Sequence, residues 1–478
     1  MNSTADTISS QQASRIDQVF ASQLKASREN QYPDLQARLA SLDKLEKILL
    51  ENQAAITEAI NTDFGNRCAQ ETRMLEIFGL LGGIIHTRKR LKKWMKPQKR
   101  HIGLAYLGGR NAVIPQPKGV VGVVSPWNYP LFLALSPTIS ALAAGNRCIV
   151  KMASNSQTLC RLMDNLVSEA FDEETLAIIP GVSANDFTQR AWDHLVFTGS
   201  PAVGKIVMAT AAKYLTPVTL ELGGKSPTII AADCDLEMAA ERLLFAKFLN
   251  AGQTCVAPDY LFLPREKMLD FVEIAAQIVK TRYPSAASKD FTSIIDSKAF
   301  TRLEAVLADA AEKGAKTVDL LGDGGLDART RKFPPHLVID PGDDTLVMQD
   351  EIFGPILPVK LYDHLDDVIG HINAHERPLA LYIYSNDKAV QDKVILGTLS
   401  GGVCINDSML HVGQHDLPFG GIGNSGMGHY HGQEGFNEFS KLRPVFKQAK
   451  KSAILALAPP YGDVFEKTAN AIQKWKLY

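Results

Sequence analysis

The chain has 478 residues, 45% of them hydrophobic, more than one hydrophobic core usually holds, so two or three globular domains are expected. Lysine and arginine number 51 against 52 aspartates and glutamates; the net charge of −1 argues against nucleic acid or an acidic membrane as partner and for a small molecule. The six cysteines, Cys68, Cys148, Cys160, Cys234, Cys255 and Cys404, form no CxxC pair and no metal-ligand spacing, and read as reduced thiols of a cytoplasmic protein without a metal site.

Residues 1–17 are polar, lack the apolar core of a signal peptide and read as a mobile lead. No stretch reaches the roughly 20 apolar residues a membrane span requires. From 18 to 96 the pattern is helical, with Leu35, Leu39, Leu42, Leu45 and Leu49 in steps of three or four. Eight Lys/Arg between Arg88 and Arg100 mark a solvated helix end stopped before Pro97. "IGLAYLGGRNAVIPQPKG" predicts a hairpin turning at Gly108 and Gly109. After it, short apolar runs such as "VVGVVSP", "NRCIVKM" and "DHLVFTGS" alternate with helix-length segments, the mark of βαβ units and a parallel sheet with helices on both faces. A second alternating set runs from "PVTLELGG" to "LALYIYS", so the expected fold is α/β, with two lobes joined near Glu221 to Lys225.

Four stretches carry chemistry. "FTGSPAVGK" follows a strand and opens a helix, with Gly199 and Gly204 spaced to let a pyrophosphate approach backbone amides; it is neither GxGxxG nor a P-loop, and a plain turn reads equally well. In "VSPWNYP" the amide of Asn128, stiffened by Trp127, Tyr129 and two prolines, is either an oxyanion donor or a helix cap. In "TLELGGKSP" Glu221 sits between Leu220 and Leu222, which calls for a salt-bridge partner such as Lys225 or a raised pKa suited to a general base. In "NAGQTCVAP" Cys255 lies just past a helix, a nucleophile or an inert core thiol. His429 and His431 in "GHYHG" have no further ligand at suitable spacing and read as loop histidines.

In order, "PWNYP", "FTGSPAVG", "ELGGKSP", "GQTC", "EIFGP" and "PFGGIGNSGMG" resemble the aldehyde dehydrogenase superfamily over about residues 20–450. "AGQTCVAPDY" and "MQDEIFGPILPV" are similar to its class-3 branch, and "HVGQHDLPFGGIGNSGMGHYHGQEGF" to bacterial coniferyl-aldehyde dehydrogenases. The resemblance implies oxidation of an aldehyde, aromatic by preference and otherwise aliphatic or a semialdehyde, to its acid with NAD or NADP. It implies Cys255 as nucleophile, Asn128 as oxyanion donor and Glu221 as the base that activates water.

The same resemblance implies cofactor contacts from Lys151 at the adenosine ribose, Gly199, Ser200 and Gly204 at the pyrophosphate turn, Glu351 at the nicotinamide ribose and Phe353 beside the ring, with Trp127 and Leu222 completing the set. Many NAD-preferring relatives place a glutamate three residues after this lysine. Here Ser154 stands there, so NADP is expected to be accepted. The implied organisation is a Rossmann-like cofactor domain (18–101 and 117–222), a catalytic domain (223–425), a β oligomerisation element (102–116 and 426–450) that makes a homodimer, and a tail (451–478).

Overall fold

The computed structural model of the chain describes residues 2–475 apart from 104, 105, 107, 323, 324 and 451. Part of the expected hairpin and the end of the tail therefore lie outside the described residues. Sixteen strands are described, in three sheets. In chain order, β1 (Gln98–Arg100) and β2 (Arg110–Pro117) are followed by β3 (Val120–Val124), β4 (Arg147–Lys151), β5 (Leu176–Ile178), β6 (His194–Gly199) and β7 (Val218–Leu222). Then come β8 (Pro227–Ile230), β9 (Tyr260–Pro264), β10 (Lys316–Asp319), β11 (His336–Ile339), β12 (Ile356–Tyr362), β13 (Ala380–Tyr384) and β14 (Gly402–Ile405). The last two are β15 (Gly426–Met427) and β16 (Ser440–Lys447).

The first large sheet has the order β15-β7-β6-β3-β4-β5, parallel except for β15. Its strands alternate in the pleat and so serve two cores. Val121, Val123, Cys148 and Val150 face one, and Val120, Val124 and Ile149 the other. On the first face lies the helix Pro130–Ala144, buried nearly all round because the helices Leu35–Glu51 and Gly79–Trp94 cover it in turn. Leu35–Glu51 begins where Asp34 accepts the Ala37 N–H at 2.9 Å and buries Leu42, Leu45 and Leu49 of the expected stripe together with Ile48, while Leu35 and Leu39 are partly buried. Each such side chain contributes about 1.5–3 kcal/mol of transfer free energy.

The second face corrects one expectation. The polar lead belongs to a helix, Asn2–Glu29, and its residues from 15 onward are anchored. Ile16 and Val19 are buried with Val120, Phe187 and Trp192, Arg15 pairs with Glu173, and Asp17 pairs with Arg190. Ile16, Val19 and Phe20 already form a helical stripe, which the polar composition of the flanking residues conceals.

The second large sheet, β10-β11-β12-β9-β8-β13-β14, is parallel but for its β10 edge. The chain crosses between the two sheets from β7 to β8, within the stretch Glu221 to Lys225. The third sheet, β1-β2-β16, is antiparallel. The strand before the Gly108–Gly109 turn lies earlier than expected, directly after Pro97 rather than from residue 102; Gly108, at φ +93°, and Gly109, where a Cβ would meet Phe446 at 2.9 Å, precede β2. Among the described residues no helix is long and apolar enough to cross a membrane.

Candidate active site

In the first large sheet the chain runs from β3 to β4 and β5 on one side, then returns to β6 and β7 on the other. The carboxyl ends of β3 and β6 therefore flank a topological switch point, where open α/β sheets bind ligands. Register places Lys151 beside Val124 at this rim and Leu222 beside Gly199, so the ends of four strands meet there.

Asn128 follows β3. Its amide donates to the Gln253 carbonyl at 3.2 Å, and its own carbonyl accepts from Arg67 Nη1 at 2.8 Å and Asn250 Nδ2 at 3.0 Å. The next helix has Tyr129 at its N-cap and no side-chain cap bond, so the capping alternative for Asn128 falls away.

The loop that carries Cys255 is wound tightly. After the helix Leu236–Phe248, Asn250, Ala251 and Gly252 take φ values of 52°, 51° and 74°, a left-handed run that side chains other than glycine resist. A Cβ at Gly252 would lie 2.3 Å from the Gly354 carbonyl oxygen, so only glycine fits there. Hydrogen bonds hold the run in place. Glu71 accepts the Asn250 N–H at 3.0 Å, and the Gln253 amide bonds the carbonyls of Asn250 and Ser293 and the N–H of Ile295. The hydroxyls of Tyr129 and Thr254 bond at 2.6 Å. Cys255 emerges partly exposed in a cavity of about 300 Å³, lined by Tyr129, Phe132, Phe245 and Phe419 among other largely apolar side chains.

Three ionisable groups crowd this point. Glu221 is buried on β7, and neither carboxylate oxygen has a hydrogen-bond partner among the described residues; burial, then the charge of Glu438, raises its pKa well above 4.5. Lys225 is not its partner, because that ammonium is held by Asp259 and by the carbonyls of Val347 and Asp350. Burial, Glu351 and Glu221 push the Cys255 thiol up to about 12, opposed by the amides of Cys255 and Val256. Glu351 is raised to about 8 by burial and Asp259, opposed by the Gly224 amide, Lys225 and Arg302. Burial and the two carboxyl groups thus both disfavour the thiolate of Cys255.

On the cofactor side, Gly199 ends β6 and Ser200 caps the helix Pro201–Ala212, accepting the Val203 N–H at 3.4 Å. Gly204 lets that helix pack on β7, since a Cβ there would sit 2.6 Å from Leu222. Gly223 leaves room for the Glu351 carboxylate, 2.1 Å from where its Cβ would be. Trp127 meets Phe353 edge to face at 5.4 Å. Lys151 is buried, and burial lowers its pKa. Ser154 is exposed in the turn that follows. A lysine desolvated at a sheet rim, a helix N-terminus that starts in the crevice and glycine-lined approaches fit a dinucleotide.

Sequence reasoning missed the supports beneath. Arg67 lies buried between Glu71 at 3.8 Å and Glu76 at 3.9 Å, and Glu76 accepts the N–H groups of Leu131 and Phe132. Glu76 lies in a stretch of π-helix, Thr72–Phe78, that also brings Met74 and Leu75 to the cavity. Burial raises the pKa of both glutamates against the pull of Arg67. The signal in "NRCAQETRMLE" is weak, because charges at helical spacing normally face water.

Residues 2–445 match the aldehyde dehydrogenase family. The chain is 46% identical over 462 residues to a "probable coniferyl aldehyde dehydrogenase" of Pseudomonas aeruginosa, covering 96% of each chain. It is 41% identical over 449 residues to a coniferyl aldehyde dehydrogenase of a Pseudomonas species, covering 92% of each. Its fold is similar to the substrate-bound state of Staphylococcus aureus AldH, with TM-score 0.90, 34% identity and coverage of 96% and 99%. It is also similar to a Mycobacterium tuberculosis aldehyde dehydrogenase complexed with NAD+, with TM-score 0.81, 28% identity and coverage of 91% and 90%. The chain belongs to the aldehyde dehydrogenase family and is an oxidoreductase that works with NAD or NADP.

Proposed function

We propose that this enzyme oxidises aromatic aldehydes of the cinnamyl type, such as coniferaldehyde, to carboxylic acids through Cys255. The observation that carries the proposal is the cavity. Cys255 opens into it from a strained, hydrogen-bonded loop, and its lining is largely apolar and rich in aromatic rings, with no lysine, arginine, aspartate or glutamate. A flat conjugated substrate packs well against such walls, whereas a carboxylate-bearing semialdehyde would be buried without a counter-charge. A linear aliphatic aldehyde is the second reading, favoured by the Met74, Met409 and leucine side chains that share the lining.

In the mechanism, the Cys255 thiol gives up its proton to solvent, its sulfur attacks the aldehyde carbon, and the carbonyl π pair moves onto oxygen. The amide of Asn128 and the Cys255 N–H stabilise that oxyanion. Lys151, Gly199, Ser200, Gly204, Glu351 and Phe353, with Trp127, Ser154 and Leu222 around them, would hold NAD(P)+, whose chemistry there would be to accept the hydride that leaves the aldehyde carbon. Glu221, without a hydrogen-bond partner among the described residues and raised in pKa, takes a proton from water; the hydroxide equivalent adds to the acyl carbon and the Cys255 sulfur leaves, releasing the acid. No acidic side chain stands at Ser154 to repel a 2′-phosphate, so NADP serves as well as NAD.

A homodimer is supported by β16, a sheet edge exposed from Lys441 onward with Leu442, Val445 and Phe446 on its surface, which offers unpaired backbone to a second copy. The six free cysteines suit the cytoplasm. The test is a steady-state panel of cinnamyl, benzaldehyde-type and linear aldehydes, each with NAD and NADP. Highest kcat/KM for the cinnamyl group is expected, with both cofactors used. Faster linear aldehydes would replace the substrate class, and strict use of NAD would overturn the role given to Ser154.

A further inference from the structure

Three histidines gather beside the substrate cavity and take no part in the chemistry above. His415 lines the cavity that holds Cys255, and together with Gly79 it also lines a second, smaller one shared with His86, Ser140 and His431. Thr254, Cys255 and Val256 line only the first. His415 and Gly79 therefore lie between the two cavities. The rings of His86 and His431 each lie 6.2 Å from that of His415.

The helix Gly79–Trp94 is shaped for this ring. A Cβ at Gly82 would fall 2.6 Å from His415 Nε2, and one at Gly83 would fall 3.6 Å from its Nδ1. Glycine is disfavoured inside a helix, and at Gly82 its missing side chain leaves room for the imidazole, while Gly83 lies in ordinary contact with it. Phe132 uses Gly79 in the same way, at 3.0 Å.

Free hydrogen-bonding groups are scarce in the cavity. The Tyr129 and Thr254 hydroxyls bond each other, and that of Ser408 bonds the Tyr384 hydroxyl at 2.9 Å. The imidazole of His415 makes ring contacts but no hydrogen bond among the described residues. Burial and the neighbouring His86 disfavour its cation. A neutral imidazole presents one donor and one acceptor, which matches a phenolic hydroxyl.

We propose that His415, seated on Gly82 and Gly83, is a specificity-determining residue that hydrogen-bonds the para oxygen of an aromatic aldehyde whose carbonyl lies at Cys255. This rests on the aromatic reading of the substrate. The para position lies across the ring from the side chain that bears the aldehyde, and His415 lines the same cavity as Cys255. A polar group that has its partner only in the right substrate discriminates more sharply than apolar contact does.

The test compares kcat/KM for 4-hydroxycinnamaldehyde, cinnamaldehyde and hexanal in the wild type, His415→Phe, His415→Gln and Gly82→Ala. In His415→Phe the ratio of 4-hydroxycinnamaldehyde to cinnamaldehyde falls roughly three- to tenfold, the worth of one hydrogen bond. His415→Gln, which keeps a donor and an acceptor, retains most of the ratio. Gly82→Ala, whose methyl displaces the ring, lowers it and carries the test should His415→Phe fail to fold. An unchanged ratio in the folded His415→Phe, or in Gly82→Ala where that variant alone folds, overturns the assignment. Preference of the wild type for hexanal would instead overturn the aromatic reading, because the ratio within the cinnamyl pair reports His415 whichever aldehyde is fastest.

Discussion

Two regions near Cys255, here named lower and upper, treat buried charge in opposite ways. In the lower one, Arg67 stands between Glu71 and Glu76, and all three bond backbone groups of the segments that present Asn128 and Cys255. In the upper one, Glu221 is equally buried and neither oxygen has a hydrogen-bond partner among the described residues. A paired buried charge fixes geometry, because any displacement leaves charge uncompensated. An unpaired carboxyl has a raised pKa and a free lone pair, which is what proton transfer needs. The difference separates a part of the site built to stay still from a part built to exchange a proton.

The largest effect expected from breaking the contrast comes at the point between the two regions. Cys255→Ala removes the nucleophile and lowers turnover by roughly 10⁴-fold or more, in line with loss of other covalent nucleophiles. Calorimetry should find cofactor binding retained, since both flanking regions survive. Comparable turnover in this variant would refute covalent catalysis here.

Glu221→Gln sharpens the contrast by keeping shape and removing the proton acceptor, and a loss of about 10²- to 10⁴-fold is expected. The step lost should be deacylation, so a single-turnover burst of reduced cofactor persists while steady-state turnover collapses. The sign of the pH effect follows from burial. The carboxyl is protonated well above pH 4.5 and gains base function only as pH rises, so wild-type turnover climbs with pH through that range. The glutamine variant loses that limb. An equal loss of burst and turnover would move Glu221 to an earlier step.

Much of the upper region was legible in sequence because its parts are local. Glu221 lies in an apolar strand, Asn128 in a rigid proline-flanked turn and Cys255 after a helix end, and each is recognisable within about ten residues. The alternation that forms the two parallel sheets is local in the same sense. The lower region was not legible. Arg67, Glu71 and Glu76 have the spacing of a solvated helix face, and only the later packing of 127–132 and 249–253 onto them makes that face an interior. The cavity hides for the same reason, since Met74, Phe132, Phe245 and Phe419 come from four distant segments. The anchoring of Ile16 and Val19 was hidden instead by the polar residues around them, and its evidence was a three- and four-residue step in plain view.

The smallest of these effects on turnover tests the lower region itself. Arg67→Met keeps much of the volume of the side chain but leaves Glu71 and Glu76 buried without a cation. Breaking a buried pair from one side costs about 3–5 kcal/mol of stability. Both glutamates already have raised pKa values that Arg67 holds down, so their protonation in the folded variant is favoured further. Folding then takes up protons above the ordinary carboxylate pKa of 4.5, and the stability deficit shrinks as pH falls towards that value. Thermal melts of variant and wild type should converge in acid and diverge towards neutrality. Because the Asn128 carbonyl loses its bond from Arg67, and Glu71, which holds the Asn250 N–H, loses its cation, kcat falls roughly 10- to 100-fold through misplacement, with KM little changed. A stability gap independent of pH would mean the two carboxylates find other partners, and unimpaired kcat would mean the strained loop at Asn250 holds Cys255 without help from below.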